Sequence, residues 1–398
     1  MSLSNKINRS RYPRAERPLD AENITIYRDP NYYAAFPFNH NFWAFPDGDL
    51  LINFARARCD YGQSYDLMHG VVDGIHGEYV TLRSTDGGET WPTGSLQVLG
   101  THQSLERQVV SGLAPEAPAE PLDWTSPDCC VTAGFGGPPV LAQHLGYLQY
   151  SRDRGRNWEG PYLLPSMGFS KVYVKPDYLV RPDGLVLLFV TVGRGPAPAK
   201  YDVASLFVAI YATTDGGLTW EYLSSIHRPN PDAEYVGHIY ASPVLLPNGR
   251  IVTTVRCFFP GGGSKIRGWG APEGGGAYEW TEVFYSDDGG RTWQFLSRPN
   301  DWGAPAPMVL LDDGRLLIVY GYRVKPYGIR ARVSDDGGRS WGPELILRDD
   351  GGSGDLGYPR IVKLPEGRVM VAYYFNRADD PTQLVGGVRH IAATVFTP

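Results

Sequence analysis

The chain has 398 residues, a formal charge of −6 and a pI of about 5.8, with no Lys/Arg run. Nucleic acid is therefore not expected as a partner, because phosphate binding needs a basic stripe, and no apolar run approaches the roughly 20 residues of a membrane-spanning helix. The 48 Gly, 33 Pro and 13% aromatic residues disfavour helices and suit short strands joined by tight turns.

Residues 1–22 form a polar N-terminal extension without the apolar stretch of a signal peptide, which leaves a cytoplasmic protein or a mature exported form open. The remainder, 23–398, reads as one all-β domain. Its first element is a strand over Asn23–Tyr27, followed by repeating units over 30–91, 128–165, 172–223, 238–296, 304–348 and 356–397. Five units carry one pattern, S/T-x-D-x-G-x-T/S/N-W, at Ser84–Trp91, Ser151–Trp158, Thr213–Trp220, Ser286–Trp293 and Ser334–Trp341. This is the Asp-box. Its Asp can cap backbone N–H groups, its Gly takes the left-handed conformation, and its Trp packs under the turn.

Most units also contain two apolar strands around a Pro-x-Gly-type turn, as in Phe45–Gly48, Arg181–Gly184, Leu246–Gly249, Leu311–Gly314 and Leu364–Gly367. Together these features predict four strands per unit and a six-bladed β-propeller. The last unit runs out after His390–Phe396, so the strand at 23–27 is expected beside it, closing the ring. The second unit is degenerate, and 104–127 before it reads as a long surface loop, with another loop at 261–270.

Cys59, Cys129, Cys130 and Cys257 match no zinc spacing and read as free thiols, so neither metal nor cofactor is expected. The Asp-box aspartates recur too often to be one active site and are assigned to hairpin structure on the outer rim, away from any ligand. A propeller binds its ligand at a channel mouth, where the inner strands begin and the second strands end. Those windows contain Asn39, His40, Asn41, Arg56, Arg58 and Asp60, then Tyr173, Lys175 and Asp177, then His238, Tyr240 and Arg256. Further on come Tyr320, Tyr322, Arg323, Tyr327, Arg330 and Arg332, and last Asp355, Tyr358, Arg360 and Tyr374. Arg forks and Tyr faces suit an anionic or polyhydroxylated ligand, so a carbohydrate substrate is the expected partner.

Over essentially its whole length the chain resembles the sialidase (neuraminidase) superfamily. Members hold the substrate carboxylate with three arginines and use a Tyr nucleophile, a Glu partner and an Asp acid/base. The resemblance implies Arg256 and Arg330 as two of those arginines, Tyr358 as nucleophile and Asp60 as acid/base. Two departures stand out: Phe36–Asn41 replaces the arginine-bearing motif that opens the first blade, and Tyr240 stands where the Glu is expected. The resemblance thus implies an exo-acting glycoside hydrolase on a terminal, polar or anionic sugar other than sialic acid. Asn39, His40, Arg58, His238, Tyr240 and Arg360 would join Arg256 and Arg330 in substrate binding. A non-catalytic glycan-binding propeller, and a polysaccharide lyase using Tyr and His, are the alternatives. Asp355 and Glu234 are alternative carboxylates.

Overall fold

The computed structural model describes residues 15–62, 77–136, 145–194, 206–226, 237–258, 279–382 and 386–398. Six antiparallel sheets follow one another along the chain. Blade one contains β2 (Tyr32–Ala35), α1 (Pro37–His40), β3 (Asn41–Ala44), β4 (Leu50–Arg58), β5 (Gly77–Ser84) and β6 (Gln97–Thr101). Its innermost strand is split, because β2 and β3 both pair with β4 and α1 is inserted between them. After α2 (His102–Val110), blade two is built from β7 (Cys130–Gly136), β8 (Leu145–Ser151) and β9 (Glu159–Leu163).

Blades three to five are four-stranded and regular. They comprise β10 (Lys171–Val180), β11 (Val186–Gly193), β12 (Leu206–Thr213) and β13 (Glu221–Ile226); β14 (Gly237–Leu245), β15 (Ile251–Phe258), β16 (Glu279–Ser286) and β17 (Gln294–Ser297); and β18 (Met308–Leu310), β19 (Leu316–Tyr322), β20 (Gly328–Ser334) and β21 (Leu345–Arg348). Blade six joins β22 (Gly357–Lys363), β23 (Val369–Phe375) and β24 (His390–Phe396) to β1 (Glu22–Tyr27), which pairs antiparallel with β24 from Glu22↔Val395 to Tyr27↔Ile391.

Two expectations are corrected. Blade two has three strands among the described residues, with its Asp-box between the last two, where four were expected. The stretch opening at 104 is not loop throughout, because α2 runs to Val110. Its start is capped by reciprocal Thr101 and Ser104 bonds, and the prolines fall only from 115 onward, leaving one helical segment uninterrupted.

The Asp-boxes do what their composition dictates. In the first, Asp86 accepts from Ser84 Oγ at 2.7 Å and Thr90 N at 3.0 Å, and Trp91 Nε1 donates to Gly88 O at 3.1 Å. The two bonds to the Asp recur at Asp153, Asp215, Asp288 and Asp336, and the Trp bond recurs at Trp158 and Trp293. The turns also join neighbours. A Cβ on Gly88, which has φ 94, would lie 2.4 Å from Met370 Cε of blade six, and one on Gly155 would lie 2.3 Å from Leu51 Cδ2 of blade one. Apolar clusters lie between adjacent blades, such as Leu187, Phe189, Ile210, Ile251 and Phe284 between blades three and four. The four cysteines are buried and none forms a disulfide among the described residues.

Candidate active site

Antiparallel pairing fixes which end of each blade is which. Ile251 pairs with Ser286 at the Asp-box end, whereas Arg256 pairs with Thr281. Five residues at about 3.4 Å each place Arg256 roughly 17 Å from the box. Arg256, at the end of a second strand, and Tyr358, at the start of an inner strand, therefore share the end opposite the Asp-boxes.

The inner strands are irregular at that end. The pairing register shifts at Tyr240 in β14, at Tyr358 in β22 and between Val174 and Tyr178 in β10. Phe36, Tyr240 and Tyr358 have φ of 64, 55 and 48, left-handed values for non-glycine residues that each cost about 1–3 kcal/mol. The bulges at Tyr240 and Tyr358, and the turn at Phe36 that caps α1, bring the rings of Phe36 and Tyr240 against Tyr358. Tyr358 lies 5.1 Å from Phe36 and 6.3 Å from both Tyr240 and Phe38, centroid to centroid. Residues Pro37–His40, in place of the expected arginine-bearing opening, form α1, which packs against β7, β10 and β22.

Charge surrounds this aromatic group. Arg256 Nη1 donates to Tyr358 Oη at 2.7 Å, and its Nη2 donates to Glu279 Oε1. Arg323 Nη1 stands 3.8 Å from the same Glu279 oxygen, and its guanidinium carbon lies 5.2 Å from the Tyr358 ring centroid. Arg256 is also 5.5 Å from the Tyr240 ring, and Lys175 Nζ is 5.3 Å from that ring. Arg256 and Glu279 are both buried. Coulombic attraction to Glu279 and to the two phenols outweighs desolvation and raises the Arg256 pKa. Arg256 Nε and Glu279 Oε2 are buried with no hydrogen-bond partner among the described residues. They are thus positioned to receive polar groups of a ligand.

A second buried pair lies behind α1. Arg360 donates to Asp177 Oδ1 at 2.7 Å and to Phe38 O at 2.6 Å, so it anchors α1 rather than reaching outward. Burial raises the Asp177 pKa against the pull of Arg360 and Lys175. His40 is buried, packs against the Tyr79 ring at a centroid distance of 4.8 Å, tilted 51° to it, and has its pKa pushed well below the usual imidazole value by burial, with Lys175 and Arg360 adding to the effect. Asn39, also on α1, keeps its buried Oδ1 without a partner among the described residues.

The other expected site residues are arranged differently. Arg330 donates to the carbonyls of Ile329 and Arg348 and lies 3.4 Å from Glu344, so its fork is committed within blade five. Arg323 occupies the place beside Tyr358 instead. Asp355 accepts from Tyr33 Oη at 2.6 Å, Tyr374 Oη at 2.9 Å and Arg389 Nε at 3.0 Å, which makes it an anchor of blade six. Asp60 is exposed at the mouth end of β4, with its Oδ1 accepting from Gly62 N at 2.8 Å. Arg58 is exposed, 5.5 Å from the Tyr32 ring. His238 pairs across strands with Cys257. Glu234 and the loop at 261–270 lie outside the described residues.

Sequence reasoning missed Glu279. It opens a third strand, whereas the windows searched were inner-strand starts and second-strand ends. No periodicity in the segment Glu279–Ser286 marks it, because nearly every residue of that strand is buried.

Comparison with known proteins agrees with this architecture. A family model described as the BNR/Asp-box repeat matches residues 284–295. A sialidase of Micromonospora viridifaciens is 29% identical over 245 residues, which is 56% of this chain and 36% of that protein. The chain thus spans about a third of the length of this curated relative. Among solved structures, a protein of unknown function from Dyadobacter fermentans has a TM-score of 0.69 at 25% identity, covering 95% of this chain and 98% of the other. An α-L-arabinanase of Penicillium chrysogenum, solved with arabinobiose, has a TM-score of 0.59 at 14% identity, covering 94% and 97%.

Proposed function

Since the chain is a sialidase-like six-bladed propeller with Asp-box repeats, we propose that it is an exo-acting glycoside hydrolase for a terminal polar sugar, with Tyr358 as the nucleophile. The observation that carries this reading is the shared guanidinium. Arg256 binds Tyr358 Oη through one arm and Glu279 through the other, with Arg323 beside both. A phenol needs a base to become a nucleophile. Glu279 supplies the carboxylate that the Tyr240 position lacks.

In the proposed reaction Glu279 takes the phenolic proton as Tyr358 Oη bonds to the anomeric carbon. The glycosidic C–O bond breaks, and Asp60, exposed on the mouth side, protonates the departing oxygen. Water, deprotonated by Asp60, then hydrolyses the glycosyl–tyrosine bond while Glu279 returns its proton to the departing Tyr358 Oη, as in a retaining mechanism. Tyr240, whose ring lies 6.3 Å from Tyr358, Lys175, 5.3 Å from the Tyr240 ring, and Asn39, whose buried Oδ1 has no partner among the described residues, would bind the sugar.

Sialosides are not the favoured substrates. A sialidase clamps the carboxylate with three guanidinium groups, each charge-assisted bond contributing about 1.5–3 kcal/mol. Here Arg256 is engaged by Glu279, Arg330 by backbone carbonyls, and α1 replaces the first. The lyase reading needs a histidine at Tyr358, whereas His40 packs against Tyr79 and the ring neighbours given for Tyr358 are Phe36, Phe38, Tyr240 and Tyr374.

The test is kcat/KM on aryl sialoside, uronide, α-L-arabinofuranoside and neutral glycosides, for the wild-type chain and Tyr358→Phe. Turnover of a non-sialoside that is lost in Tyr358→Phe is the expected result. Failure to cleave any of the panel would overturn the hydrolase assignment, and efficient sialoside cleavage would overturn the substrate choice.

A further inference from the structure

The face of blade four opposite Arg256 carries a different group. Side chains alternate along a strand, so Cys257 and Trp280 face away from Arg256 and Glu279. His238 pairs directly with Cys257, and Cys257 pairs with Trp280 on the next strand. Glu282, two residues after Trp280, returns to the same face. The register of β14, β15 and β16 therefore collects an imidazole, a thiol and a carboxylate, and their nitrogen, sulfur and oxygen atoms all lie within 4.8 Å of one another.

We propose that His238, Cys257 and Glu282 bind one divalent transition-metal ion of the zinc class. Zinc accepts N, S and O ligands at about 2.0–2.3 Å, which places tetrahedral ligand atoms about 3.5 Å apart. Atoms already within 4.8 Å reach that spacing by small side-chain rotations. The mixed donor set suits zinc or cobalt rather than calcium or magnesium, which take oxygen ligands. Trp280 Nε1 donates to Glu282 Oε1 at 3.2 Å and so orients the carboxylate, as outer hydrogen bonds do at metal centres. Cys257 and Glu282 are buried, at 0% and 2% exposure, and His238 is of intermediate burial.

The site is distinct from the Tyr358 group but lies next to it. His238 is two residues from Tyr240, Cys257 follows Arg256, and Trp280 follows Glu279. An ion there would tie together the mouth ends of the strands that carry Tyr240, Arg256 and Glu279, without touching a substrate.

The test is to strip the full chain with chelator and titrate it with Co²⁺. The expected result is one Co²⁺ per chain, a thiolate-to-cobalt charge-transfer band with tetrahedral visible bands, and displacement of both by Zn²⁺. Cys257→Ser should lose the charge-transfer band, and Cys59→Ser should keep it. Trp280→Phe should weaken Co²⁺ affinity about tenfold or more. Should Cys257→Ser fail to fold, the thermal midpoint serves instead. Zn²⁺ should raise it in the stripped wild type and leave it unmoved in His238→Ala. Absence of Co²⁺ uptake by the wild type, or a charge-transfer band that survives Cys257→Ser, would overturn the proposal.

Discussion

The Arg256–Glu279 pair makes the sharpest prediction, and its test does not depend on knowing the substrate. Their side chains are only 10% and 8% exposed. Removing one partner of a buried pair leaves an uncompensated charge and costs about 3–5 kcal/mol, whereas replacing both by apolar residues of similar volume is often near neutral. Arg256→Met should fall at the lower end, about 3 kcal/mol, because Arg323 remains 3.8 Å from the Glu279 carboxylate. Glu279→Met should fall at the upper end, about 5 kcal/mol, because it strips the counter-charge from both guanidinium groups. The double variant should cost much less than the sum, with a coupling energy of at least about 2 kcal/mol. Urea unfolding, read as the shift in midpoint at constant slope, measures all three. Single substitutions each costing under about 1 kcal/mol and adding independently would refute the argument that this pair is desolvated and mutually dependent.

Other outcomes follow from the same structure. Gly88→Ala should destabilise the fold by about 1–3 kcal/mol through overpacking against Met370 and Leu50. Gly48→Ala, also at positive φ but with nothing within 4 Å of the added Cβ, should cost less; equal midpoint shifts would count against blade-to-blade contact at the Asp-box. His390 is buried and its pKa is depressed from 6.5 to about 4 by desolvation. Its unfolded form therefore binds a proton between those values while the folded form does not. Stability should fall as pH drops from about 7 towards 4, by about 3 kcal/mol from this residue, with His40 adding in the same direction. A His390→Gln variant should flatten that slope in urea titrations, and an unchanged slope would contradict the assignment. If Glu279 is the base, Glu279→Gln should lower kcat by about 10²–10⁴-fold with a smaller change in KM, and an unchanged kcat would remove it from the reaction.

The parts of this protein legible in the sequence are those whose physics closes within a few residues. Each Asp-box is a ring of bonds spanning i to i+4, so Asp86, Gly88 and Trp91 announce their turn without help from the rest of the chain. Repetition of that local unit led to the six blades, and the short final unit pointed to the strand at 23–27 beside 390–396. Tyr358 and Arg256 were also readable, because each sits at a set distance from a repeat. What joins them was not. Arg256 meets Glu279 across 23 positions through the pairing of β15 with β16 in one blade, but it reaches Tyr358 across 102 positions, from blade four to blade six, and only the ring of blades brings those two strands to one mouth. Arg330 and Arg323 are seven residues apart in one blade, and the packing of blade five decided which guanidinium faces Tyr358. The conversion of Phe36–Asn41 into α1 depends on what the neighbouring blades leave unfilled, including the Arg360 bond to Phe38 O. His238, Cys257 and Glu282 share no spacing motif and meet only because the strand register aligns them. Local hydrogen bonding is written along the chain, whereas convergence of distant charges is settled by how the blades pack.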